Sequence, residues 1–218
     1  MIIPGILEQN FDEVIRKVGL VDKLVQIIQI DIADGILVDG KTFSELERLD
    51  EIDTEASFDL HLMVLHPINY LKSKIQKVKS VCIHIEADGE VPIFIQKAKE
   101  MGYEVGISLN PETDLSGVIP YLHQISYVQF MTVHPGKQGR EFEEGVFGKI
   151  VEFRRRYEHI KTQVDGGINE ETLKHVLNVG VDNVVIGSEI FGAKDPTWAL
   201  KNFIALAGGN SAGEKVQL

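Results

Sequence analysis

Two glycine-containing segments in the second half of the chain have the residue types needed to bind an anion. The first is Asp165-Gly166-Gly167 and the second is Gly187-Ser188, and each follows a short apolar run rich in β-branched residues. Glycine lets backbone N–H groups approach an anion closely, and a helix that begins there adds the positive end of its dipole. The two segments therefore predict one phosphate site, with the Asp165 carboxylate beside it as a candidate acid–base group.

A second carboxylate and an imidazole are expected to face the same place. Alternation along one apolar run puts Gln29 and Asp31 on one face and the neighbouring isoleucines on the other. His61, which lies between two leucines, follows the same alternation on the next run. If these runs are barrel strands, their apolar faces pack against helices, so the polar faces should point into the barrel mouth.

These groups support two kinds of chemistry. Asp31 and Asp165, on opposite sides of a bound sugar, could remove and return a proton on a carbon next to a carbonyl. The two aspartates and His61 could also bind a divalent cation that polarises the carbonyl. Met131 ends another strand, so His61 and Met131 are candidate substrate contacts. Structural roles stay open: a strand-end aspartate often caps the next helix, and His61 could be a core histidine bonded to backbone.

The loop after the sixth apolar run is a candidate flap. It contains Gly136 and Gly139 together with the cations Lys137 and Arg140. Small residues and cations in one loop suit a flap that closes over a phosphate, although a flexible turn has a similar composition.

Short apolar runs alternate with amphipathic helical patterns along the whole chain. Strands are predicted at Ile2–Leu7, Leu24–Ile32, Ser57–Val64, Ser80–Glu86, Glu104–Leu109, Tyr127–Val133, Thr162–Asp165 and Asn183–Gly187. Helices are predicted at Phe11–Val18, Val91–Met101, Gly145–Tyr157, Glu170–Val179 and Thr197–Leu206. The strand ends recur about every 26 residues, near the minimum for a strand, a crossover helix and two loops.

Eight such units predict an α/β fold, a single-domain (βα)8 TIM barrel over residues 1–208, with a flexible tail at 209–218. An open, doubly wound sheet is the alternative. In a barrel, chemistry belongs at the C-terminal ends of the strands, where both aspartates and His61 are expected.

Composition limits the function classes. With 218 residues, 44% of them hydrophobic, the chain can bury a substantial core. A formal net charge of −11 argues against nucleic acid or an anionic membrane as the main partner. The single cysteine, Cys82, excludes an intrachain disulfide and favours a reducing, cytoplasmic setting. No apolar run approaches the roughly 18 residues that span a bilayer, and the first residues lack the pattern of a signal peptide.

Taken together, these motifs resemble the ribulose-phosphate 3-epimerase family. The resemblance covers about residues 2–191, in the family's order. The matching segments are Ile3–Leu7, Gln29–Gly35, Asp59–Val64 with Pro67, His84–Ala87, Leu109–Thr113, Met131–Val133 with Pro135-Gly136, Val164–Asn169 and Gly187–Phe191.

The resemblance implies a barrel that interconverts D-ribulose 5-phosphate and D-xylulose 5-phosphate by 1,1-proton transfer at C3. Asp31 and Asp165 match the family's acid and base, and with His61 they match ligands of a divalent metal, commonly zinc, iron, manganese or cobalt. The partner is then a small phosphosugar, and family members often form homo-oligomers. Positions that match the family's phosphate-binding backbone are Gly166, Gly167, Gly187 and Ser188, helped by the loop around Gly136–Gly139.

The chain departs from the family pattern at the metal end of the site. Gln29 falls where the family has its first metal-binding histidine, and an amide oxygen is a weaker zinc ligand than imidazole. Gln29 is therefore a fourth candidate ligand, and we expect the protein to depend less strongly on a metal than the family does. Gly5 replaces a serine, and Ala33 replaces a methionine expected beside the enediolate.

Three functions stay open on the sequence. The first is an epimerase acting on ribulose 5-phosphate or on another ketose phosphate. The second is a non-catalytic phosphosugar-binding protein on the same scaffold, and the third is an aldol-type synthase or lyase, whose usual strand-end lysine is not apparent. Retention of both Asp31 and Asp165 favours the epimerase.

Overall fold

Eight parallel strands close into a barrel in this structure, a computed structural model that describes residues 1–89, 91–136 and 139–209. Each strand pairs with the next one in the chain, and the last returns to the first, with Ile2 opposite Val184. The strands are β1 (Ile2–Ile6), β2 (Ile27–Ala33), β3 (Ser57–Met63), β4 (Val78–His84), β5 (Glu104–Leu109), β6 (Tyr127–Met131), β7 (Lys161–Asp165) and β8 (Asn183–Ile186). Closure confirms the predicted TIM barrel and excludes the open sheet.

In the described residues, α-helices follow five of the eight strands, and 3-10 helices follow the other three. The α-helices are α1 (Phe11–Val21), α2 (Val91–Glu100), α3 (Val146–Arg156), α4 (Glu170–Asn178), α5 (Ser188–Phe191) and α6 (Pro196–Gly209). The 3-10 helices after β2, β3 and β5 are Leu46–Glu51, Pro67–Tyr70, Leu115–Gly117 and Ile119–Tyr121. All eight strands and the five predicted helices lie within three residues of their predicted limits, whereas the four-residue α5 has no predicted counterpart.

Helix α1 shows how the sequence fixes an element. Its apolar residues recur every three or four positions, so they share one face, and that face is buried. They are Phe11, Val14, Val18 and Val21. Asn10 precedes the helix, and its side chain accepts a hydrogen bond from the backbone N–H of Asp12, a donor that the helix itself leaves unpaired.

Strand β2 separates the core from the candidate site. Its three alternate isoleucines are buried in the apolar layer between barrel and helices, as the predicted alternation requires. The intervening polar residues point into the barrel, where Gln29 lies opposite Asp59 and Asp31 lies opposite His61 on β3. Parallel register therefore places the candidate carboxylate and imidazole side by side.

No helix in the described part of the chain is long and apolar enough to cross a membrane. Helix α6 ends at Gly209, and the rest of the predicted 209–218 tail lies outside the described residues. The same holds for Lys137 and Gln138 of the predicted flap. The limits of the domain therefore stay a prediction.

Candidate active site

A cleft opens at the C-terminal ends of the strands. Its empty volume is about 590 Å³, counted out to open solvent. The predicted site residues that line it are Asp31, His61, Met131, Gly136, Gly139, Asp165, Gly166, Gly167, Gly187 and Ser188. Only Gln29 of the predicted set does not line the cleft, because it lies fully buried beneath the carboxylates.

Asp31, His61 and Asp165 form a compact group of metal-ligand type. One ligand atom from each lies within 4.8 Å of the other two. His61 Nδ1 is 3.1 Å from Asp31 Oδ1 and 3.5 Å from Asp165 Oδ2. Two carboxylate oxygens and one imidazole nitrogen suit zinc and other divalent first-row metals. These three residues therefore fit a divalent cation.

Gln29 presents its amide nitrogen to this group. Its Nε2 donates to Asp31 Oδ1 at 2.8 Å and to Asp165 Oδ2 at 2.6 Å, and it lies 3.5 Å from His61 Nδ1. Its Oε1 points away and accepts a hydrogen bond from Gln163. An amide NH2 group is a donor only. In this orientation Gln29 does not fit the role of metal ligand, although the other three residues do.

A second histidine, His84, packs against His61 on one side. The Nε2 atoms of His61 and His84 are 2.9 Å apart, and the two rings stack with centroids 5.0 Å apart. His84 Nδ1 is 3.2 Å from Glu86 Oε2. From the sequence, His84 and Glu86 could either make structural hydrogen bonds or contact the substrate. Their bonds connect His61 to Glu86 through His84, and neither residue lines the cleft.

Glu86 in turn anchors the loop after β5. Its Oε1 accepts from the backbone N–H of Asn110 at 2.8 Å and from the hydroxyl of Thr113. Lys149 Nζ donates to carbonyl oxygens of the same loop, at 3.2 Å to Asn110 and 2.6 Å to Pro111. The series of hydrogen bonds that runs from His61 through His84 therefore ends at Glu86, which is bonded to the backbone of this loop.

Burial, hydrogen bonds and neighbouring charges together shift the pKa values of these ionisable groups. Burial alone lowers the pKa of His61, but hydrogen bonds with Asp165 and Asp31 outweigh it and raise that pKa to about 10. Burial raises the pKa of Asp31, and the neighbouring charge of Asp165 adds to the rise. Burial lowers the pKa of His84. Burial would raise the pKa of Glu86, yet its hydrogen bonds, first with His84, lower that pKa to about 2.

The glycine turn after β7 is held in close contact with the flap. Gly166 and Gly167 have φ of +115° and +60°, backbone conformations that favour glycine. A Cβ on Gly167 would lie 2.6 Å from the backbone nitrogen of Phe142, so the chain crosses directly over this turn. The N-terminus of α4 is capped by Asn169, which accepts from Glu171 and Thr172. The glycine turn itself, rather than the end of that helix, faces the cleft.

The amino-acid sequence matches a known family. The model of the Ribulose-phosphate 3 epimerase family matches residues 1–191. The chain belongs to this family. Similar ribulose-phosphate 3-epimerases include that of Schizosaccharomyces pombe, 30% identical over 89% of this chain and 88% of the relative. That of Aquifex aeolicus is 34% identical over 78% of this chain and 79% of the relative. This member of the ribulose-phosphate 3-epimerase family is therefore an epimerase-like isomerase.

Solved structures share the family's barrel at lower sequence identity. KGPDC of Streptococcus mutans superposes with a TM-score of 0.75 at 16% identity, covering 95% of this chain and 97% of that one. The 3-hexulose-6-phosphate synthase of Salmonella typhimurium gives a TM-score of 0.73 at 16% identity, covering 95% and 98%. At such identity these likenesses show the fold alone.

In this epimerase-family member, the side chains of Asp31 and Asp165 bond to other site residues, and Asn169 rather than Asp165 caps α4. His61 is fully buried, as the core-histidine alternative requires, but its partners are side chains.

Sequence reasoning missed a layer of polar residues beneath the family's site. Gln163 and Gln129 are almost fully buried and bond to Gln29, to Asp165 and to each other. Each lies two positions before a cleft residue, on the same face of its strand. A polar residue at that position on several strands was the available signal.

Proposed function

We propose that this chain interconverts D-ribulose 5-phosphate and D-xylulose 5-phosphate by moving a proton at C3 between Asp31 and Asp165. The observation that carries the proposal is the placement of these carboxylates on β2 and β7, both facing one cleft, in a member of the epimerase family. Carboxylates on two sides of the reacting carbon allow the proton to leave from one face and return to the other.

The surroundings of Asp31 suit proton exchange. Burial and the charge of Asp165 raise the pKa of Asp31, and its carboxyl lines the cleft, where it can take a proton from carbon or return one. Gln29 and Gln129 both donate hydrogen bonds to Oδ2 of Asp165 and thereby hold that oxygen in place. Loss of the C3 proton next to the carbonyl gives an enediolate, which either carboxyl can reprotonate.

We assign the divalent metal to Asp31, His61 and Asp165. When bound, zinc, iron, manganese or cobalt would polarise the substrate carbonyl and stabilise negative charge on the enediolate oxygens. His84 and Glu86 support His61 by fixing which ring nitrogen faces the two carboxylates.

The phosphate of the substrate is assigned to the glycine-rich lining of the cleft. Gly166, Gly167, Gly187 and Ser188 line the cleft, and Arg140 lines it from the flap. Close backbone approach and one cation are what a phosphate needs in a chain whose formal net charge is −11. His61 and Met131 line the part of the cleft that would take the sugar.

We further place the enzyme in the cytoplasm, since its single cysteine is a buried free thiol and needs no oxidising compartment. A homo-oligomer remains an expectation from the family resemblance.

A phosphosugar-binding role without turnover is the second candidate. It is favoured by Gln29, whose amide faces the carboxylates where the family resemblance places a histidine. Gly5 and Ala33 leave an epimerase of another ketose phosphate as a variant of the main proposal.

Deuterium exchange tests the proposal directly. Wild-type protein incubated with ribulose 5-phosphate in deuterated water is expected to place deuterium at C3 and to form xylulose 5-phosphate, both followed by NMR. Asp31→Asn and Asp165→Asn should each lower kcat by about 10²- to 10⁴-fold, the usual contribution of a positioned acid or base.

Asp88→Asn is the matched control, because this aspartate is exposed and pairs only loosely with His66, at 3.7 Å. Its kcat should equal that of wild type. Absence of C3 exchange with ribulose 5-phosphate and with related ketose phosphates would overturn the epimerase proposal. Phosphosugar binding that survives Asp31→Asn, with no exchange in wild type, would favour the binding role.

A further inference from the structure

Three glutamines form a buried layer directly beneath the carboxylates. Gln29 and Gln129 have no exposed surface and Gln163 has 1%. Gln163 Nε2 lies 3.2 Å from Gln29 Oε1, 2.8 Å from Gln129 Oε1 and 3.1 Å from Asp59 Oδ2. A buried amide left unpaired costs several kcal/mol in an apolar environment, so such groups keep their partners.

The partners of Gln163 fix which way its own amide points. Its Oε1 accepts from Asn183 Nδ2 at 3.1 Å, while its Nε2 faces three acceptors. Asp59 is a firm acceptor, since it also receives the hydroxyl of Ser80 and that of Tyr127, each at 2.7 Å. Turning Gln163 over would set its oxygen against acceptors and its nitrogen against a donor.

Gln163 thereby fixes Gln29. Gln163 Nε2 lies below Gln29, and the carboxylates of Asp31 and Asp165 lie above it, so Gln29 turns its oxygen downward and its nitrogen upward. An amide nitrogen carries two hydrogens, and the two carboxylates take one each. The reversed amide would bring Oε1 within hydrogen-bond distance of two carboxylate oxygens and Nε2 against Gln163 Nε2, which is repulsive at both ends.

We propose that Gln29 is a positioning residue, held by Gln163, whose two N–H groups bind Asp31 and Asp165, and that it is therefore not a metal ligand. The metal site is then the three-residue group of Asp31, His61 and Asp165. The orientation of Gln29 stands on hydrogen bonding alone, whereas its positioning role rests on the acid–base roles of the proposed function.

Direct metal titration separates this role from that of a ligand. Chelator-treated wild type and Gln29→Met, which keeps the length of the side chain without its amide, are titrated with Co²⁺ by calorimetry. Gln29→Met should bind Co²⁺ no more weakly than wild type, whereas its kcat for C3 exchange should fall at least about tenfold with KM little changed. Co²⁺ binding weakened about tenfold or more, as expected for a lost ligand, would overturn the proposal. An unchanged kcat in an active enzyme would overturn the positioning role.

Tyr103→Phe is the control, because it removes a buried hydrogen bond outside the cleft, that to the backbone N–H of Ile75. Its Co²⁺ affinity and kcat should match wild type.

A second variant covers the case in which Gln29→Met does not fold. Gln163→Met removes the donor that holds Gln29, so the Gln29 amide becomes free to turn its oxygen towards a cation. Its Co²⁺ affinity should rise at least about threefold, while unchanged or weaker binding would show that Gln163 does not hold Gln29 in this orientation. This result does not depend on turnover. A wild type that fails to exchange the C3 proton would thus remove the proposed function and leave the orientation of Gln29 separately tested.

Discussion

At the scale of single residues, the bond between His61 and His84 links the site to the loop behind it. Only one proton can lie between their Nε2 atoms, which are 2.9 Å apart. Burial lowers the pKa of His84 and so favours its neutral form. Its Nδ1–H then donates a hydrogen bond to Glu86, and its Nε2 accepts one from His61. The tautomer is inferred from this network. The Nδ1 atom of His61 is then directed at the carboxylates, where a metal would bind it.

Glu86 makes the stability of the protein depend on pH in the acid range. Its pKa in the folded protein, about 2, lies below the ordinary 4.5, so ionised Glu86 stabilises the fold above about pH 4.5. That contribution is lost as the pH falls from about 4.5 towards about 2. The free energy of unfolding should therefore fall across this window in wild type and less steeply in Glu86→Gln, as measured by urea unfolding between about pH 5 and about pH 3.

Glu158→Gln provides the comparison for Glu86→Gln, because it removes one carboxylate from an exposed position. It should keep the wild-type slope. Parallel slopes in wild type and Glu86→Gln would show that Glu86 is not the source of the acid sensitivity.

At the scale of elements, the flap and the strand-end turns are joined by close backbone crossings. A Cβ on Gly136 would lie 2.6 Å from the carbonyl oxygen of Asp39, in the loop after β2. A Cβ on Gly167 would meet the backbone of Phe142 at the same distance. The flap therefore rests on the turns after both β2 and β7, the strands that carry the two aspartates.

Gly167→Ala should weaken both the fold and phosphate binding. The new methyl group overlaps backbone and the φ of +60° disfavours alanine, so the free energy of unfolding should fall about 1–3 kcal/mol further than in Gly89→Ala. Gly89 also has positive φ but open space around its Cα, so it isolates the conformational cost. Urea unfolding and KM for the phosphosugar measure the two effects. If Gly167→Ala and Gly89→Ala lost equal stability and KM did not rise, the close backbone contact between Gly167 and Phe142 would be contradicted.

The strands and most helices follow from the sequence because their alternation is local. The isoleucines of β2 and the apolar face of α1 each fix an element without reference to the rest of the chain. The aspartates and His61 could be placed because barrel topology brings strand ends together. The bond from His61 to His84 and the orientation of Gln29 could not, because each depends on partners from other strands at distances that no local pattern specifies.

At the scale of the whole molecule, the core and the candidate metal group are separate. The apolar core lies between the barrel and its helices, whereas Asp31, His61 and Asp165 lie at the mouth. The barrel is closed by backbone pairing between β1 and β8, and neither strand carries a residue of the candidate metal group.

Removing metal should therefore leave the protein folded. After chelation we expect a single cooperative thermal transition by circular dichroism. Co²⁺ at about 100 times its Kd adds about 2.7 kcal/mol, which corresponds to a rise in Tm of roughly 5–11 °C for a chain of this size. Asp165→Asn should lose most of that rise. A chelated protein without a cooperative transition would contradict the separation of core and metal group.

The hydrogen bond between Gln163 and Gln29 makes the residue types suited to these two positions depend on each other. An imidazole that binds a metal through one nitrogen usually donates a proton from the other, and so needs an acceptor behind it. At position 29 a histidine would instead meet the Nε2 of Gln163, an amide nitrogen that can only donate. Descent from a histidine at 29 to glutamine, or the reverse, therefore favours a paired change at 163. The residue pair at these positions could sort relatives into two lineages from sequence alone.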